Sequence, residues 1–304
     1  MKTENKNKYV AETYVAAHTM RIKCSYIDVN LLELEPIVTK WGKRKVTGKN
    51  KEEYWLIVNP NATQGSGMHK TFSKFRKEVE EMLSRTGATD VQITRADLSI
   101  NSDNPNDYEK FKKLHKLLIC CIANAYNVTN CYESKNLWTS RSLSVAIKGN
   151  NIEAENYNKA EESQGKYDTK NRLEFRSLKI KAELNDMPYE FTEKWFVRLD
   201  KALKDFRAVQ SRYNYELAKN WLEDKAKPKK YRDYLSLNAF LLQYKDNIFT
   251  RKQLVELLMA IEVEKPEEVA KRFKDRHHIE FFSETDLKFI VKDMKKKIIT
   301  YFAN

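Results

Sequence analysis

The chain has few of the residues from which common nucleotide and cofactor sites are built. Its 304 residues include only 7 glycines and 6 prolines. No segment matches a P-loop or a dinucleotide-binding fingerprint. The segment at 65–70, GSGMHK, has the wrong spacing and is predicted to be a turn between elements. A nucleotide-binding enzyme of either kind is therefore not expected.

Metal sites built from cysteine or paired histidines are not expected either. The four cysteines form no CxxC pair, and the neighbouring Cys120 and Cys121 lie in an apolar helical pattern that is typical of reduced core thiols. His277 and His278 are adjacent, so they cannot make the two-histidine grip that many DNA-nicking enzymes place on one strand face. We interpret both as surface or core residues, and we predict no zinc site.

Long apolar segments are also missing. No run of 18 apolar residues is present, and the beginning of the sequence, MKTENKNKYVAETY, has no apolar stretch of the kind found in secretory signals. With reduced thiols, this composition is typical of a cytoplasmic protein without a membrane segment.

Positive charge is abundant. The chain has 56 Lys and Arg against 43 Asp and Glu, a net charge of +13, and a pI near 9.3. Such an excess favours a polyanionic partner, nucleic acid first and an acidic membrane surface second. A surface that is merely solubilising is the alternative. No RNP-type aromatic motif is present, which makes RNA a less favoured partner than DNA.

The hydrophobic pattern predicts an α+β fold with an antiparallel sheet and flanking helices. Helical spacing is clear from Thr71 onwards and over 107–125, and Gly149-Asn150 is typical of a hairpin turn. The segments with strand-like patterns are 54–58, 91–101, 142–148, the stretch leading to Tyr157, and 171–180.

The last third of the chain is predicted to be mostly helical. Phe191 to about Lys225 reads as one long helix or two joined ones, and the charged, proline-broken segment 224–233 is the best linker. We therefore predict two domains, 1–223 and 224–304. The second is expected to be a winged-helix or helix-turn-helix module or a dimerisation bundle. Its predicted features are a capping box at Thr250-x-x-Gln253, helix starts at Pro266 and Ser283-x-x-Asp286, and a short strand at 277–282.

Three predicted strands each carry a polar face. Alternation places the apolar Leu173 and Phe175 on the core side of one of them. The polar faces carry Arg95, Asp97 and Asn101; Glu153, Glu155 and Tyr157, followed by Lys159; and Arg172, Glu174 and Arg176.

This set of residues suits phosphodiester cleavage. Asp97 and Glu174 can hold Mg²⁺ or Mn²⁺, which prefer oxygen ligands, and a tyrosine hydroxyl beside them can attack phosphorus. Lys159, Arg95 or Arg172 can stabilise the added negative charge. The alternative is a salt-bridged strand surface without catalytic function.

Four segments, taken in order, resemble the rolling-circle plasmid replication initiators of the staphylococcal trans-acting Rep family and the related relaxases of some integrative elements. They span about residues 50–180. The segments are IVNPN (57–61), TRADLSIN (94–101), YNKAEE (157–162) and RLEFR (172–176).

The resemblance implies a metal-dependent enzyme that nicks a double-stranded origin through a covalent 5′-phosphotyrosine. Tyr157 would be the nucleophile, and Asp97, Glu174 and Glu162 the ligands of Mg²⁺ or Mn²⁺. A second acid that the family often carries corresponds here to Asn101, and Asp103 is the candidate that would substitute for it. The family also implies a homodimer and a host helicase as partners.

Two further interpretations stay open. A conjugative relaxase or a phage initiator would use the same chemistry. A non-catalytic DNA-binding regulator on the same scaffold is favoured by Asn101 and by the acids Glu153 and Glu155, and it would bind DNA without forming a covalent adduct.

Overall fold

The fold was analysed in a computed structural model. It describes residues 13–46, 52–59, 71–103, 108–126, 143–147, 151–169, 171–204, 206, 234–243, 245 and 248–304. Within these ranges, no helix combines the length and the apolar character that crossing a membrane requires. The predicted turns at 65–70 and 149–150 and the predicted linker at 224–233 lie outside the described residues.

A seven-stranded antiparallel sheet forms the centre of the fold, in the order β2-β3-β1-β4-β7-β6-β5. With the helices around it, this confirms the predicted α+β class. The strands are β1 Thr13–Cys24, β2 Val38–Lys45, β3 Glu52–Val58, β4 Gln92–Ser102, β5 Leu143–Ile147, β6 Ile152–Tyr157 and β7 Asn171–Ser177.

Helices cover the apolar face of this sheet. Leu98 of β4 and Phe175 of β7 lie opposite each other in register and are both buried. The ring of Phe175 lies 4.6 Å from that of Trp195 on a covering helix. Burying a side chain of this size contributes about 2 kcal/mol. The alternation that hides these side chains turns the intervening residues to the other face of the sheet.

Several of the described helices begin where the sequence predicts starts, whereas the helix predicted from Phe191 begins earlier, at Met187. Thr71 caps α2, Pro266 opens α8, and Ser283 with Asp286 forms the predicted capping box of α9. At α7, Thr250 accepts from Gln253 N, but Gln253 Oε1 accepts from Phe249 N instead of closing a standard box. The helices are α1 Val29–Leu32, α2 Phe72–Arg85, α3 Tyr108–Ala125, α4 Lys159–Glu162, α5 Met187–Lys204, α6 Tyr234–Gln243, α7 Arg251–Ala260, α8 Pro266–His277 and α9 Glu284–Ala303.

The C-terminal helices contribute to two hydrophobic cores. Helices α6, α7 and α8 enclose a separate apolar cluster. Helix α9, which the sequence analysis assigned to the C-terminal region, packs on the large core instead. The Tyr301 hydroxyl of α9 accepts a hydrogen bond from Ala17 N of β1 at 3.0 Å. The predicted boundary at 223/224 lies outside the described residues.

The predicted strand at 277–282 is wrong. His277 ends α8, and His278 follows in a left-handed conformation with φ of 49°, so the extended run that a strand needs does not begin there. Within the described part of 234–304, no strand supplies the wing of a winged helix. Strands β1 and β2 were not predicted from the sequence.

Candidate active site

Strands β4, β7 and β6 bring the predicted polar side chains together in rows. Residues directly opposite in an antiparallel sheet share a face, so the register decides which side chains meet. The polar faces of the three strands therefore lie on one side of the sheet. The rows are Asp97–Arg176–Glu153, Ser99–Glu174–Glu155 and Asn101–Arg172–Tyr157.

A β-bulge in β1 adds a histidine to this face. Ala17 pairs with Leu98 and Thr19 with Asp97, which leaves His18 as the extra residue between them. A bulge re-aims the side chains next to it, and bulges are common beside active sites. The Nδ1 atom of His18 lies 3.4 Å from Glu174 Oε1 and 2.9 Å from Thr19 Oγ1.

His18, Asp97 and Glu174 form a group that can hold a divalent cation. One ligand atom from each residue lies within 4.8 Å of the other two. Two carboxylates and an imidazole suit Mn²⁺, whereas Mg²⁺ prefers oxygen donors alone. The donor set therefore fits the predicted cofactor, with Mn²⁺ as the better match.

The acidic and basic side chains around this group nearly balance in charge. Four carboxylates, Asp97, Glu153, Glu155 and Glu174, meet three guanidiniums, so acids exceed arginines by one before His18 is counted. Buried charge of one sign has to be compensated. The guanidiniums are those of Arg95, Arg172 and Arg176.

Arginines hold the two central carboxylates in place. Arg95 Nε donates to both oxygens of Asp97, at 2.9 and 3.0 Å. Arg176 Nε donates to Glu174 Oε1 at 3.1 Å, and its Nη2 donates to Glu155 Oε2 at 2.5 Å. The predicted cation Arg95 thus lies at the site, where its direct partner is Asp97.

Asp97 and Glu174 have opposite pKa shifts. Burial outweighs the hydrogen bonds from Arg95 and raises the pKa of Asp97 from 3.8 to about 6. Burial also acts to raise the pKa of Glu174, but the His18 imidazole and the Arg176 guanidinium outweigh it and hold that pKa well below its usual range. One carboxylate therefore releases its proton reluctantly, and the other is firmly ionised.

Tyr157 ends β6 with its hydroxyl against Glu174. The hydroxyl donates to Glu174 Oε2 at 2.9 Å. Burial and the negative charge of Glu174 raise the pKa of Tyr157 well above its usual value of 10.0. Asn158 stops the strand because its side chain accepts from the backbone N–H groups of Ala160 and Glu161 and so caps α4.

Arg172 supplies a cation beside the tyrosine. It lies directly opposite Tyr157 in the sheet, and its Nε donates to Asn101 Oδ1 at 2.7 Å. Its Nη1 atom is buried without a hydrogen-bond acceptor among the described residues, so it has a donor to spare for a phosphate oxygen. An aspartate at position 101 would neutralise Arg172, whereas the neutral Asn101 orients it and leaves its charge available.

Three other residues considered in the sequence analysis are engaged elsewhere. Lys159 pairs with Glu162 on α4 and lies 5.1 Å from the ring of Tyr167. Glu162 is not part of the His18–Asp97–Glu174 group, because a four-residue helix turns it toward its own lysine. Asp103 is exposed, and the Tyr14 hydroxyl lies 3.4 Å from it.

A buried polar cluster behind the sheet supports the strand ends that carry Tyr157 and Arg172. His115 Nδ1 of α3 lies 2.8 Å from Asn171 Oδ1, and Asn156 Nδ2 donates to the same oxygen at 2.8 Å. Asn156 also donates to the backbone oxygen of Arg172 at 3.0 Å. Burial lowers the pKa of His115 to about 4, so this imidazole is neutral at neutral pH.

His18 is the site residue that the sequence analysis missed. The strand that carries His18 could have been predicted, because Met20, Ile22 and Cys24 alternate with polar residues, which is typical of a strand with one buried face. The bulge that turns His18 to the polar face has no comparable sequence signature.

Comparisons with known proteins do not identify a family. No family model matches the chain, and a search of curated proteins found no significant match. The functional interpretation therefore rests on the geometry of the site and on the resemblance of the four segments.

Proposed function

We propose that this protein is a metal-dependent DNA-nicking and strand-transfer enzyme that uses Tyr157 as its nucleophile. The observation that carries the proposal is the 2.9 Å hydrogen bond from the Tyr157 hydroxyl to Glu174, which also belongs to the His18–Asp97–Glu174 group. A nucleophile in contact with a base, beside cations and a group of metal-binding donors, is the arrangement that phosphoryl transfer requires.

The reaction would be a displacement at phosphorus. The Tyr157 oxygen forms a bond to phosphorus, the bond from phosphorus to the 3′ oxygen breaks, and the 5′ phosphate stays on the tyrosine. The 3′ oxygen leaves with the electron pair of that bond and takes up a proton from solvent to become a free 3′ hydroxyl. Because the pKa of Tyr157 is raised, its hydroxyl is protonated at neutral pH and has to release a proton as it attacks. Glu174 Oε2 is in contact with that proton but is a weak base, so the Arg172 guanidinium, which acts to lower the pKa of Tyr157, would have to favour its transfer.

The remaining side chains would stabilise charge. His18, Asp97 and Glu174 would hold Mn²⁺ or Mg²⁺, which when bound polarises a phosphate oxygen and offsets the negative charge that develops. Arg172 would donate its available Nη1 to the phosphate. Asn101 and Arg176 would position Arg172 and Glu174, respectively.

The resemblance of the four segments supports rolling-circle plasmid initiation as the biological setting. The substrate would then be a double-stranded origin, and the partners a second copy of the chain and a host helicase. The net charge of +13 supports a DNA substrate. A conjugative relaxase would share every step of the chemistry.

Covalent capture tests the proposal. Wild-type protein is incubated with Mn²⁺ and supercoiled DNA that carries the native gene and its flanks, and a detergent-stable protein–DNA adduct is sought. We expect an adduct that Tyr157→Phe abolishes without loss of DNA binding. Tyr14→Phe is the matched control, because Tyr14 lies on the same row as Tyr157, opposite Asn101, and should still form the adduct.

Two results would contradict this assignment. An adduct formed by Tyr157→Phe would place the nucleophile elsewhere. Specific binding without an adduct from the wild type, on DNA shown to contain its recognition site, would favour the non-catalytic regulator, in which the Glu174 hydrogen bond simply holds a structural tyrosine.

A further inference from the structure

The polar face of the sheet continues beyond the catalytic rows onto β1, β3 and β2. The pairing places Arg95, Arg21, Ile57 and Lys40 in one row across four strands. Trp55 lies on the same face in the next row, opposite Gly42. Because Arg95 also binds Asp97, this surface is continuous with the active site.

Trp55 is the centre of this surface. The guanidinium carbon of Arg21 lies 4.9 Å from the centroid of the indole, and Lys40 Nζ lies 5.9 Å from it. A Cβ atom on Gly42 would lie only 2.8 Å from Trp55 Cζ2, so the glycine is what lets the indole lie against the backbone of β2. The result is a partly exposed aromatic ring flanked by two cations. We name Arg21, Lys40, Gly42 and Trp55 the Trp55 platform.

The charges on this surface are unbalanced. Glu53 binds both Lys23 and Arg44, whereas Arg21 and Lys40 have no acidic partner in the described ranges. The described part of this surface, counted with Arg95 and Asp97, therefore has five cations and two carboxylates. The cations are Arg21, Lys23, Lys40, Arg44 and Arg95, and the carboxylates are Glu53 and Asp97. A positive surface with a central aromatic ring has the chemistry of a nucleic-acid strand site, in which phosphates bind cations and a base stacks on the ring.

The active site is open on the side of the platform as well as at Glu153, whose side chain on β6 is 35% exposed. The side chain of Arg95 is 32% exposed and that of His18 19%, whereas that of Glu174 is 1% exposed. Tyr157, three rows further from the platform than Arg95, is buried. Substrate that enters on the side of Arg95 and His18 passes the platform on its way to the tyrosine.

We propose that the Trp55 platform binds the single-stranded DNA segment next to the scissile phosphate, with a base stacked on Trp55 and phosphates at Arg21 and Lys40. Bases in a duplex are stacked on their neighbours, so only an unpaired strand offers a base to the indole. The platform would thus hold the melted strand and guide it toward His18 and Tyr157. This inference rests on the proposed function, because it supplies the substrate of that site.

The test is equilibrium binding of a fluorescent single strand of about 12 nucleotides, taken from the DNA used for covalent capture, and of its duplex. EDTA is included so that binding is measured without cleavage. Trp55→Ala should weaken single-strand binding roughly tenfold or more, and Trp55→Phe should recover most of that loss. Lys40→Gln should reduce the slope of log affinity against log salt by about 0.7.

Lys43→Gln is the matched control. It removes the same charge from the same strand, but Lys43 lies opposite Tyr54, on the other face of the sheet. Its exposed pair with Glu52 contributes little to stability. This variant should bind both DNAs nearly as wild type does, and thermal melts confirm that each variant is folded.

Two outcomes would overturn the inference. Folded Trp55→Ala and Lys40→Gln variants that bind the single strand as tightly as the wild type would show that the platform is not used. Equal losses on single strand and duplex would show that no base is recognised. If the platform variants lose single-strand binding but the wild type forms no covalent adduct, the nicking proposal is refuted and the assignment of the platform as a single-strand site is retained.

Discussion

Replacing Asp97 by asparagine should stabilise the metal-free protein at neutral pH, although this removes a residue of the active site. Burial raises the pKa of Asp97 from 3.8 in the unfolded chain to about 6. The folded protein therefore holds the proton more tightly, and the wild type loses stability as the pH rises from about 4 to about 6. Two pH units correspond to about 3 kcal/mol in the free energy of unfolding. Asparagine resembles the neutral acid and avoids this loss.

Glu174→Gln is the matched comparison and should have the opposite effect. Its pKa lies well below the ordinary value of 4.5, so the ionised carboxylate stabilises the folded state above that pH, and this contribution disappears as the pH falls through the folded pKa. At pH 7.5 in EDTA, we expect Asp97→Asn to be more stable than the wild type and Glu174→Gln less stable.

The assay is urea unfolding followed by tryptophan fluorescence at several pH values between 4 and 8. The difference between Asp97→Asn and the wild type should be near zero at pH 4 and should reach its full size above pH 6, with unchanged denaturant dependence. Saturating Mn²⁺ should reverse the order, because at about 1,000 times the dissociation constant it stabilises the wild type by about 4.1 kcal/mol. An Asp97→Asn variant that is less stable than the wild type at pH 7.5 in EDTA would refute the assignment of Asp97 as a desolvated carboxylate.

Two further predictions concern histidines. His18→Asn should weaken Mn²⁺ binding, measured by titration calorimetry, by more than the roughly 10–100-fold that loss of an outer-shell partner costs, and it should weaken Mg²⁺ binding less. The control, Glu162→Gln, should bind Mn²⁺ as the wild type does. Equal losses in both variants would return Glu162 to the ligand set. Because the folded pKa of His115 is about 4 against 6.5 when unfolded, the wild type should lose about 3 kcal/mol of stability as the pH falls from 6.5 to 4. His115→Gln should remove that loss, and parallel pH profiles of the two proteins would contradict it.

Much of the site followed from alternation along single strands. Asp97 and Glu174 could be assigned to a polar face because buried apolar residues flank them, Ala96 and Leu98 in one strand and Leu173 and Phe175 in the other. A period of two is a local property, so it can be read without knowing which strands are neighbours. The α+β class followed in the same way from the alternation of strand and helix patterns.

Contacts that depend on register or on irregular backbone could not be predicted in this way. The role of His18 depends on one extra residue in β1, and a bulge at that position leaves the composition of the strand unchanged. The family resemblance implied Glu162 as a metal ligand, but the Asn158 cap starts a helix that turns it toward Lys159.

The amino-acid pattern was sufficient for the strand faces, the helix caps and the electropositive character of the chain, because each depends on neighbouring residues or on composition. The opposite pKa shifts of Asp97 and Glu174 depend on which cations lie across the sheet. The exposure of Trp55 beside Gly42 depends on the pairing of β2 with β3. Such features arise from residues far apart in the chain, and only the folded sheet brings them within a few ångströms.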